Sequence, residues 1–234
     1  DWLNAHDRKR TQWRELTPTS PFYQFVPRDD RLEAGYRRFV GVPELFPVNS
    51  VGIVTARDSL TVQWSPEEVW KTVTVFSRMD PELARQAYAL RKDVRDWKVT
   101  LAQKDVLDSG PTRENVVPIL YRPFDVRYTY YTGQSRGFIG QPQKRVMRHM
   151  LAGENVGLCV SRSVRGAPWK DALVSDKIIE FGVMATRPGN SAPLFPLYLY
   201  SPTKDILTKG KPSERRPNLN PAIVAALAAA YGQE

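Results

Sequence analysis

The sequence contains very few of the residues that form covalent cross-links or metal sites. Cys159 is the single cysteine among 234 residues, so an intrachain disulfide is excluded, and the composition fits a reducing cytoplasm. The two histidines, His6 and His149, lie far apart and cannot form an ordinary zinc site with one cysteine. No apolar run approaches the roughly 18 residues of a membrane-spanning helix, which predicts a protein without a membrane partner.

The N-terminus also lacks two common features. Residues 1–4 carry neither a signal-peptide pattern nor an initiator methionine, which suggests a piece excised from a longer protein. Hydrophobic residues make up 41% and charged residues 25%, close to the averages of globular proteins, so a sizeable core is expected. The 19 prolines and 14 glycines favour turns and loops over a helical bundle.

Positive charge is concentrated in one part of the chain. The net charge is +9, a balance that favours polyanionic partners such as nucleic acid. Residues 113–170 contain ten Lys or Arg and three Asp or Glu, so this quarter of the chain carries +7 of the total. The alternative interpretation is a basic, solvated surface without a specific partner.

The first half of the chain is predicted to be irregular, then helical. Residues 1–50 are rich in aromatics and proline. Alternating apolar residues over 50–65 predict a β-hairpin with its turn at residues 57–59. Ser65-Pro66-Glu67-Glu68 is a strong helix start that predicts a helix to about Arg78. Further helices are expected over residues 80–90 and 97–107.

From residue 116 the pattern becomes mainly that of strands. Strands are predicted over residues 116–121, 126–131, 155–161, 172–175, 178–183 and 194–200, a helix over 142–151, a polar loop over 201–219 and a final helix over 220–231. The fold class is therefore a mixed α+β fold, with mostly antiparallel or mixed sheet elements and flanking helices. We expect residues 1–115 and the more basic residues 116–234 to be two parts of the chain, unless both form one continuous domain.

Catalytic motifs are incomplete. The glycines at 133, 137 and 140 have the wrong spacing for a cofactor loop, and Asn220-Pro221 lacks the second proline and aromatic ring of a methyltransferase tetrad, so a helix cap is favoured. Asp96-Trp97-Lys98 fits only the short end of a nuclease motif, with helix predicted where a strand is needed. His149 is interpreted as a packing or phosphate-contact residue, and Cys159 as a buried thiol. A catalytic methyltransferase or nuclease fragment remains an alternative.

Three polar segments are the candidates for contact with DNA. Glutamine pairs with adenine and arginine with guanine in the major groove, while lysine, arginine and serine also hold phosphates. The first segment is the loop 132–141 with the following helix, the second is residues 161–166, and the third is residues 186–191. The candidate DNA-binding residues are Gln134, Arg136, Gln143, Lys144, Arg145, Arg148, Ser161, Arg162, Arg165, Arg187 and Asn190.

A set of motifs, in the same order, resembles the type ISP restriction–modification enzymes. Residues 122–131 (RPFDVRYTYY) are similar to the family's RPFD signature. Further similar segments are residues 52–58, 95–99, 145–150, 155–158, 161–162 and 194–200. The resemblance spans nearly the whole chain and implies the target-recognition part that follows the methyltransferase core. It implies that residues 1–115 join that core to the basic recognition part, residues 116–234.

The resemblance implies sequence-specific binding of double-stranded DNA, which would position an adenine for N6 methylation, and the DNA for cleavage, by neighbouring domains. It implies covalently attached methyltransferase and helicase–nuclease domains as partners. No cofactor is expected in this chain, whereas S-adenosylmethionine, ATP and Mg²⁺ are implied for the longer protein. The remaining alternative is a structural module that couples the motor to the methyltransferase without sequence preference.

Overall fold

The computed structural model describes residues 5–7, 9–16, 33–161, 172–184, 191–201 and 214–232. The chain divides into two compact units, residues 1–41 and 42–234. The first unit contains helix α1 (Glu33–Tyr36), and the rings of Tyr36 and Phe39 lie 6.5 Å apart there. The second unit contains the sheets and the core.

The second unit combines helices and short strands. Its helices are α2 (Val42–Leu45), α3 (Asp58–Thr61), α4 (Pro66–Phe76), α5 (Pro81–Ala87), α6 (Val99–Asp108), α7 (Lys144–Leu151) and α8 (Pro221–Tyr231), with a 3₁₀ turn at Arg113–Asn115. Its strands are β1 (Ser50–Val51), β2 (Val116–Arg122), β3 (Asp125–Tyr130), β4 (Gly157–Val160), β5 (Ala172–Ser175), β6 (Ile178–Ile179), β7 (Pro193–Pro196), β8 (Tyr198–Tyr200) and β9 (Arg215–Pro217). The predicted α+β class is confirmed.

The strands form three small sheets. One has the order β1-β7-β4-β5 and is antiparallel throughout. The second has the order β3-β2-β6, with β2 antiparallel to β3 and parallel to β6. The third pairs β8 with β9 in antiparallel fashion. The sheets are therefore mostly antiparallel, as the sequence predicts.

Helix starts in the first half follow their local sequence. At α4 the Ser65 side chain accepts the backbone N–H of Glu68, and the Glu68 carboxylate accepts the backbone N–H of Ser65, which is a complete capping box. At α5 the Asp80 carboxylate accepts two backbone N–H groups. At α8 the Asn220 side chain accepts the N–H of Ala222, which confirms the helix-cap interpretation.

The predicted hairpin over residues 50–65 is wrong. Residues 58–61 form the short helix α3, and Ala56 before it has a left-handed backbone with φ 67°. The two halves pair with distant partners instead, since Ser50 faces Leu194 and Gln63 forms a bridge with Tyr128. Alternation of apolar residues indicates a half-buried extended segment but not its partner, which is where the prediction failed.

The predicted strand 194–200 is divided between two sheets, and the predicted strand 178–183 ends at Ile179. Between β7 and β8, the backbone N–H of Leu197 bonds to the carbonyl of Val156 at 2.8 Å, and the chain then leaves the first sheet. The loop predicted over residues 201–219 is wrong at Arg215–Pro217, which form β9 against β8. These three errors concern pairing that a strand acquires only from tertiary contacts.

Aromatic packing joins the helices to the second sheet. The ring of Phe138, in the segment after β3, lies 6.0 Å from the rings of both Phe76 and Tyr130 in edge-on contacts. Trp97 is fully buried, and its Nε1–H donates to the carbonyl oxygen of Phe138 at 3.1 Å. Backbone pairing also crosses the boundary expected at residue 115, because Gln63 forms a bridge with Tyr128. A functional division of the chain at residue 115 stays a prediction.

Candidate nucleic-acid interface

A buried carboxylate organises the loop of residues 132–143. Asp105 of α6 is 7% exposed, and its oxygens accept the backbone N–H of Phe138 at 2.8 Å and the hydroxyl of Thr132 at 2.9 and 3.0 Å. Burial raises the pKa of this carboxyl above its usual range, against the opposing effect of these two donors. One side chain therefore holds both ends of the exposed part of the loop.

Close backbone approach explains a glycine of this loop. A Cβ on Gly137 would lie 2.2 Å from an Asp105 carboxylate oxygen, so the carboxylate occupies the space a side chain would need. The far end of the loop is fixed by reciprocal backbone hydrogen bonds between Val54 and Gln141. Gly137, one of the glycines whose spacing does not fit a cofactor loop, therefore has a structural role.

Tight turns direct the polar residues of the loop outward. Gly133, Arg136 and Gln143 have φ values of 76°, 59° and 50°, in the left-handed region. The hydroxyl of Thr132 accepts the backbone N–H of Gln134 at 3.1 Å, which closes a local turn. As a result Gln134, Ser135 and Arg136 are exposed on a segment whose backbone is held on both sides.

Helix α7 continues this polar surface. It buries Val146, Met147, His149 and Met150, while Lys144, Arg145 and Arg148 are exposed on its other side. Arg145 donates to the carbonyl of Asn49 at 2.8 Å, and Arg148 donates to the carbonyl of Tyr200 at 3.4 Å. The amphipathic pattern predicted for residues 142–151 is confirmed, with the helix beginning at Lys144.

The loop and the start of α7 meet at an open groove of about 380 Å³. Its lining includes Arg136, Gln141, Gln143 and Lys144, with Asp96 among the lining residues. The Arg95 guanidinium, and more weakly that of Arg136, lower the pKa of Asp96 below its usual range, so this carboxylate is ionised at neutral pH. Guanidinium, ammonium and amide groups in one groove can donate to phosphate oxygens and to the edges of bases.

The structure brings together Gln134, Arg136, Gln143 and Lys144, and it places Arg145 and Arg148 on the same helix. Ser161, directly after β4, is 8% exposed and so offers little surface to a ligand. The other candidate residues, Arg162, Arg165, Arg187 and Asn190, lie outside the described residues. DNA contact by any of these residues stays a prediction.

Sequence reasoning missed the arginines of β9. Arg216 lines a second groove with Arg145 and Arg148, although it lies about seventy residues later in the chain. The sequence signal was the pair Arg215-Arg216 immediately before a proline, in a segment interpreted as a loop. The pairing of β9 with β8, which no local pattern indicated, brings Arg216 to α7.

Two residues with reactive side chains have structural roles. His149 is 3% exposed, and its Nδ1 accepts the backbone N–H of Tyr200 at 2.9 Å. Burial, followed by the charges of Arg148 and Arg216, lowers the pKa of His149 to about 4, so the ring is neutral at pH 7. Cys159 is fully buried and burial raises the pKa of its thiol to about 12, which confirms the interpretation as a buried thiol.

The nuclease-like tripeptide has no catalytic geometry. Trp97 is in the core, and Val94 and Trp97 form a tight turn where the motif would need a strand. The Asp96 carboxylate forms an ion pair with its neighbour Arg95. Over the described ranges, no group of three His, Cys, Asp or Glu residues could hold a metal ion, and no helix is both long and apolar enough to cross a membrane.

Together the fold and its surface define a mixed helix-and-sheet domain that holds an exposed polar loop beside the cationic start of a helix. The model of the Type ISP C-terminal specificity domain matches residues 44–234. The chain therefore belongs to the Type ISP C-terminal specificity domain family, as its motifs indicated. No curated protein sequence matches the chain.

Three solved structures have a similar fold. A cryo-EM structure of a DrdV–DNA complex matches 99% of this chain and 23% of its own, at 18% identity and a TM-score of 0.64. A nuclease-deletion mutant of the Type ISP restriction-modification enzyme LlaGI, in complex with a DNA substrate mimic, matches 91% of this chain and 20% of its own, at 16% identity and a TM-score of 0.58. The ATP-dependent Type ISP restriction-modification enzyme LlaBIII bound to DNA matches 80% and 12%, at 16% identity and a TM-score of 0.52. The chain spans less than a quarter of each of these chains.

Proposed function

We propose that this chain binds double-stranded DNA and reads a short asymmetric sequence as the target-recognition part of a restriction–modification enzyme. The observation that carries the proposal is the loop held by Asp105, which exposes Gln134 and Arg136 beside the cationic start of α7. The solved structures with this fold are DNA complexes, which supports the proposal.

The chemistry of the loop suits base recognition. An arginine fork donates two hydrogen bonds to guanine O6 and N7, and a glutamine amide both donates to and accepts from adenine. A glutamine and an arginine lie two residues apart in this loop, at Gln134 and Arg136. The hydrogen bonds of Asp105 to Thr132 and Phe138 fix the backbone on either side of them. Because the loop is already ordered, little conformational entropy is lost when it binds DNA. The free energy of its contacts with the bases is therefore not spent on ordering the loop.

The neighbouring parts of the longer protein would perform the chemistry. In this proposal a covalently attached methyltransferase domain flips an adenine out of the bound duplex, and attached helicase and nuclease domains act on the same DNA. S-adenosylmethionine, ATP and Mg²⁺ would bind to those domains, and this chain would contribute binding alone. To test whether the chain contributes binding alone, the purified chain is incubated with DNA, Mg²⁺ and a labelled methyl donor. Any methyl transfer or DNA cleavage would overturn this part of the proposal.

A selection experiment tests recognition directly. The chain is mixed with random duplexes at moderate salt, and bound duplexes are recovered and sequenced over several rounds. We expect one short, non-palindromic motif to become enriched. Recovery of duplexes without any motif would support the structural coupling module instead, and absence of duplex binding would refute the proposal.

Variants of Arg136 separate base contact from charge. Arg136→Ala removes both, and loss of a bidentate base contact is expected to cost about 1–3 kcal/mol of binding free energy on the selected sequence. Arg136→Lys keeps the charge but loses the fork, so it should lower discrimination more than it lowers binding to unrelated duplexes. Arg78→Gln, an exposed arginine at the end of α4, is the control for loss of one positive charge. Equal behaviour of all three variants would remove Arg136 from the recognition surface.

A further inference from the structure

A second groove lies between helix α7 and the β8–β9 ribbon, with a volume of about 300 Å³. Its charged lining residues are Arg145 and Arg148 of α7 and Arg216 of β9. The remaining residues that line it are neutral: Val48, His149, Leu199, Tyr200 and Ser201. Among the described lining residues, three arginines and no carboxylate therefore border one small space.

The positive charge of this groove is not cancelled by the hydrogen bonds that position it. Arg145 donates to the carbonyl of Asn49 and Arg148 to the carbonyl of Tyr200, and both acceptors are neutral. Several arginines elsewhere in the second unit are instead paired with carboxylates, as in Arg113 with Glu67 and Arg127 with Asp125. The groove thus differs from those ion-paired sites.

Buried contacts hold the two sides of the groove in place. The buried ring of His149 accepts the backbone N–H of Tyr200, which ties α7 to β8. Asn218, 1% exposed and one residue beyond β9, donates to the carbonyl oxygens of Val48 and Pro196 at 2.8 and 2.9 Å. Arg216 is therefore presented from a strand whose end is fixed in the core.

A phosphate group fits this arrangement better than a base. Guanidinium groups bind phosphate oxygens through two parallel hydrogen bonds, and a phosphate provides enough acceptors for several arginines. The three arginine side chains provide donors only, so they cannot read the amino groups of adenine or cytosine, whereas every phosphate oxygen is an acceptor. The space suits a single phosphate group approached from an open side.

We infer that Arg145, Arg148 and Arg216 form a pocket for one backbone phosphate of duplex DNA, which fixes the position of the duplex relative to the base-reading loop. The inference rests on the proposed DNA binding and adds Arg216 to the surface. Burial, and after it the charges of Arg148 and Arg216, lowers the pKa of His149, so both arginines lie close enough to act on the same buried ring.

The test is a salt titration of duplex binding by the wild-type chain and by Arg216→Gln. Because Arg145 and Arg148 remain beside the phosphate, the weaker contact should reduce the slope of log K against log salt concentration by up to about 0.9. Affinity at low salt should fall about tenfold, equally for the selected sequence and for unrelated duplexes. Arg78→Gln controls for the loss of one charge, and circular dichroism verifies that both variants are folded.

The outcomes are distinct. Uniform loss of affinity with a reduced slope in Arg216→Gln, beyond the effect of Arg78→Gln, supports the pocket. An effect no larger than that of Arg78→Gln overturns it, and so does a loss restricted to the selected sequence, which would indicate base contact.

A second measurement separates this inference from the proposed function. Inorganic pyrophosphate is titrated into the wild-type chain and into Arg216→Gln while NMR signals of the arginine side chains are followed. If the wild-type chain binds no duplex, the proposed function fails, and this titration alone decides the pocket: shifts that depend on Arg216 support it, and absence of shifts overturns it.

Discussion

Gly137→Ala examines how the recognition loop is held. The added Cβ would lie 2.2 Å from Oδ2 and 2.5 Å from Cγ of Asp105, distances that real atoms do not adopt. Because Asp105 is buried in α6, either its carboxylate or the loop must move. Either movement lengthens the 2.8 Å hydrogen bond from the Phe138 N–H and the bonds from the Thr132 hydroxyl.

The expected cost follows from these contacts. A hydrogen bond to a charged group contributes about 1.5–3 kcal/mol, and the Thr132 hydroxyl, at the surface, can bond to water instead. Overpacking of a tight site adds about 1–3 kcal/mol, part of which the displacement relieves. We therefore expect Gly137→Ala to lower the free energy of unfolding by about 2–4 kcal/mol.

Urea denaturation followed by tryptophan fluorescence measures this change, since Trp97 contacts the loop through Phe138. Gly35→Ala is the matched control, because nothing lies within 4 Å of a Cβ at that helical position, and it should leave stability unchanged or slightly raised. Gly137→Ala should also bind DNA more weakly than the wild-type chain under native conditions. A free energy of unfolding within about 0.5 kcal/mol of the wild type would refute the role given to Asp105.

Three further predictions concern other parts of the scaffold. Ser65→Ala removes the capping box of α4 and should lower stability by about 1 kcal/mol in urea denaturation; no change would mean that the cap is replaced by water. Phe124 is 91% exposed and has a left-handed backbone with φ 64°. Phe124→Gly should relieve this strain and leave the free energy of unfolding unchanged or raised by up to about 1 kcal/mol. A lower melting temperature of the variant would reveal a packing role for the ring. Because the folded pKa of Asp105 is raised, the folded state binds its proton more tightly than the unfolded state, and wild-type stability falls as pH rises from about 4 through that pKa. Asp105→Asn lacks this proton, so its stability relative to the wild type should improve from pH 4 to pH 7; a difference independent of pH would contradict the raised pKa.

Local sequence decided the elements whose signals lie within a few residues. The caps at Ser65, Asp80 and Asn220 are formed by side chains two or three residues from the backbone groups they bond, so their helices were predicted correctly. The amphipathic helix α7 and the two strands β2 and β3 were found for the same reason. The ordered motifs around residues 122–131 identified the family that the comparison with family models then established.

Only the tertiary structure decided which distant segments meet. The alternation in residues 50–65 was real, but its partners are β7 and Tyr128, so a local hairpin could not be distinguished from long-range pairing. In the candidate site, the cationic and amide residues were visible in the sequence, whereas the clamp by Asp105 was not. The same holds for Arg216, whose place beside Arg148 depends on the pairing of β9 with β8. The sequence shows which residues are charged. Which of these charged residues lie together in space depends on strand pairing, which is a property of the whole fold.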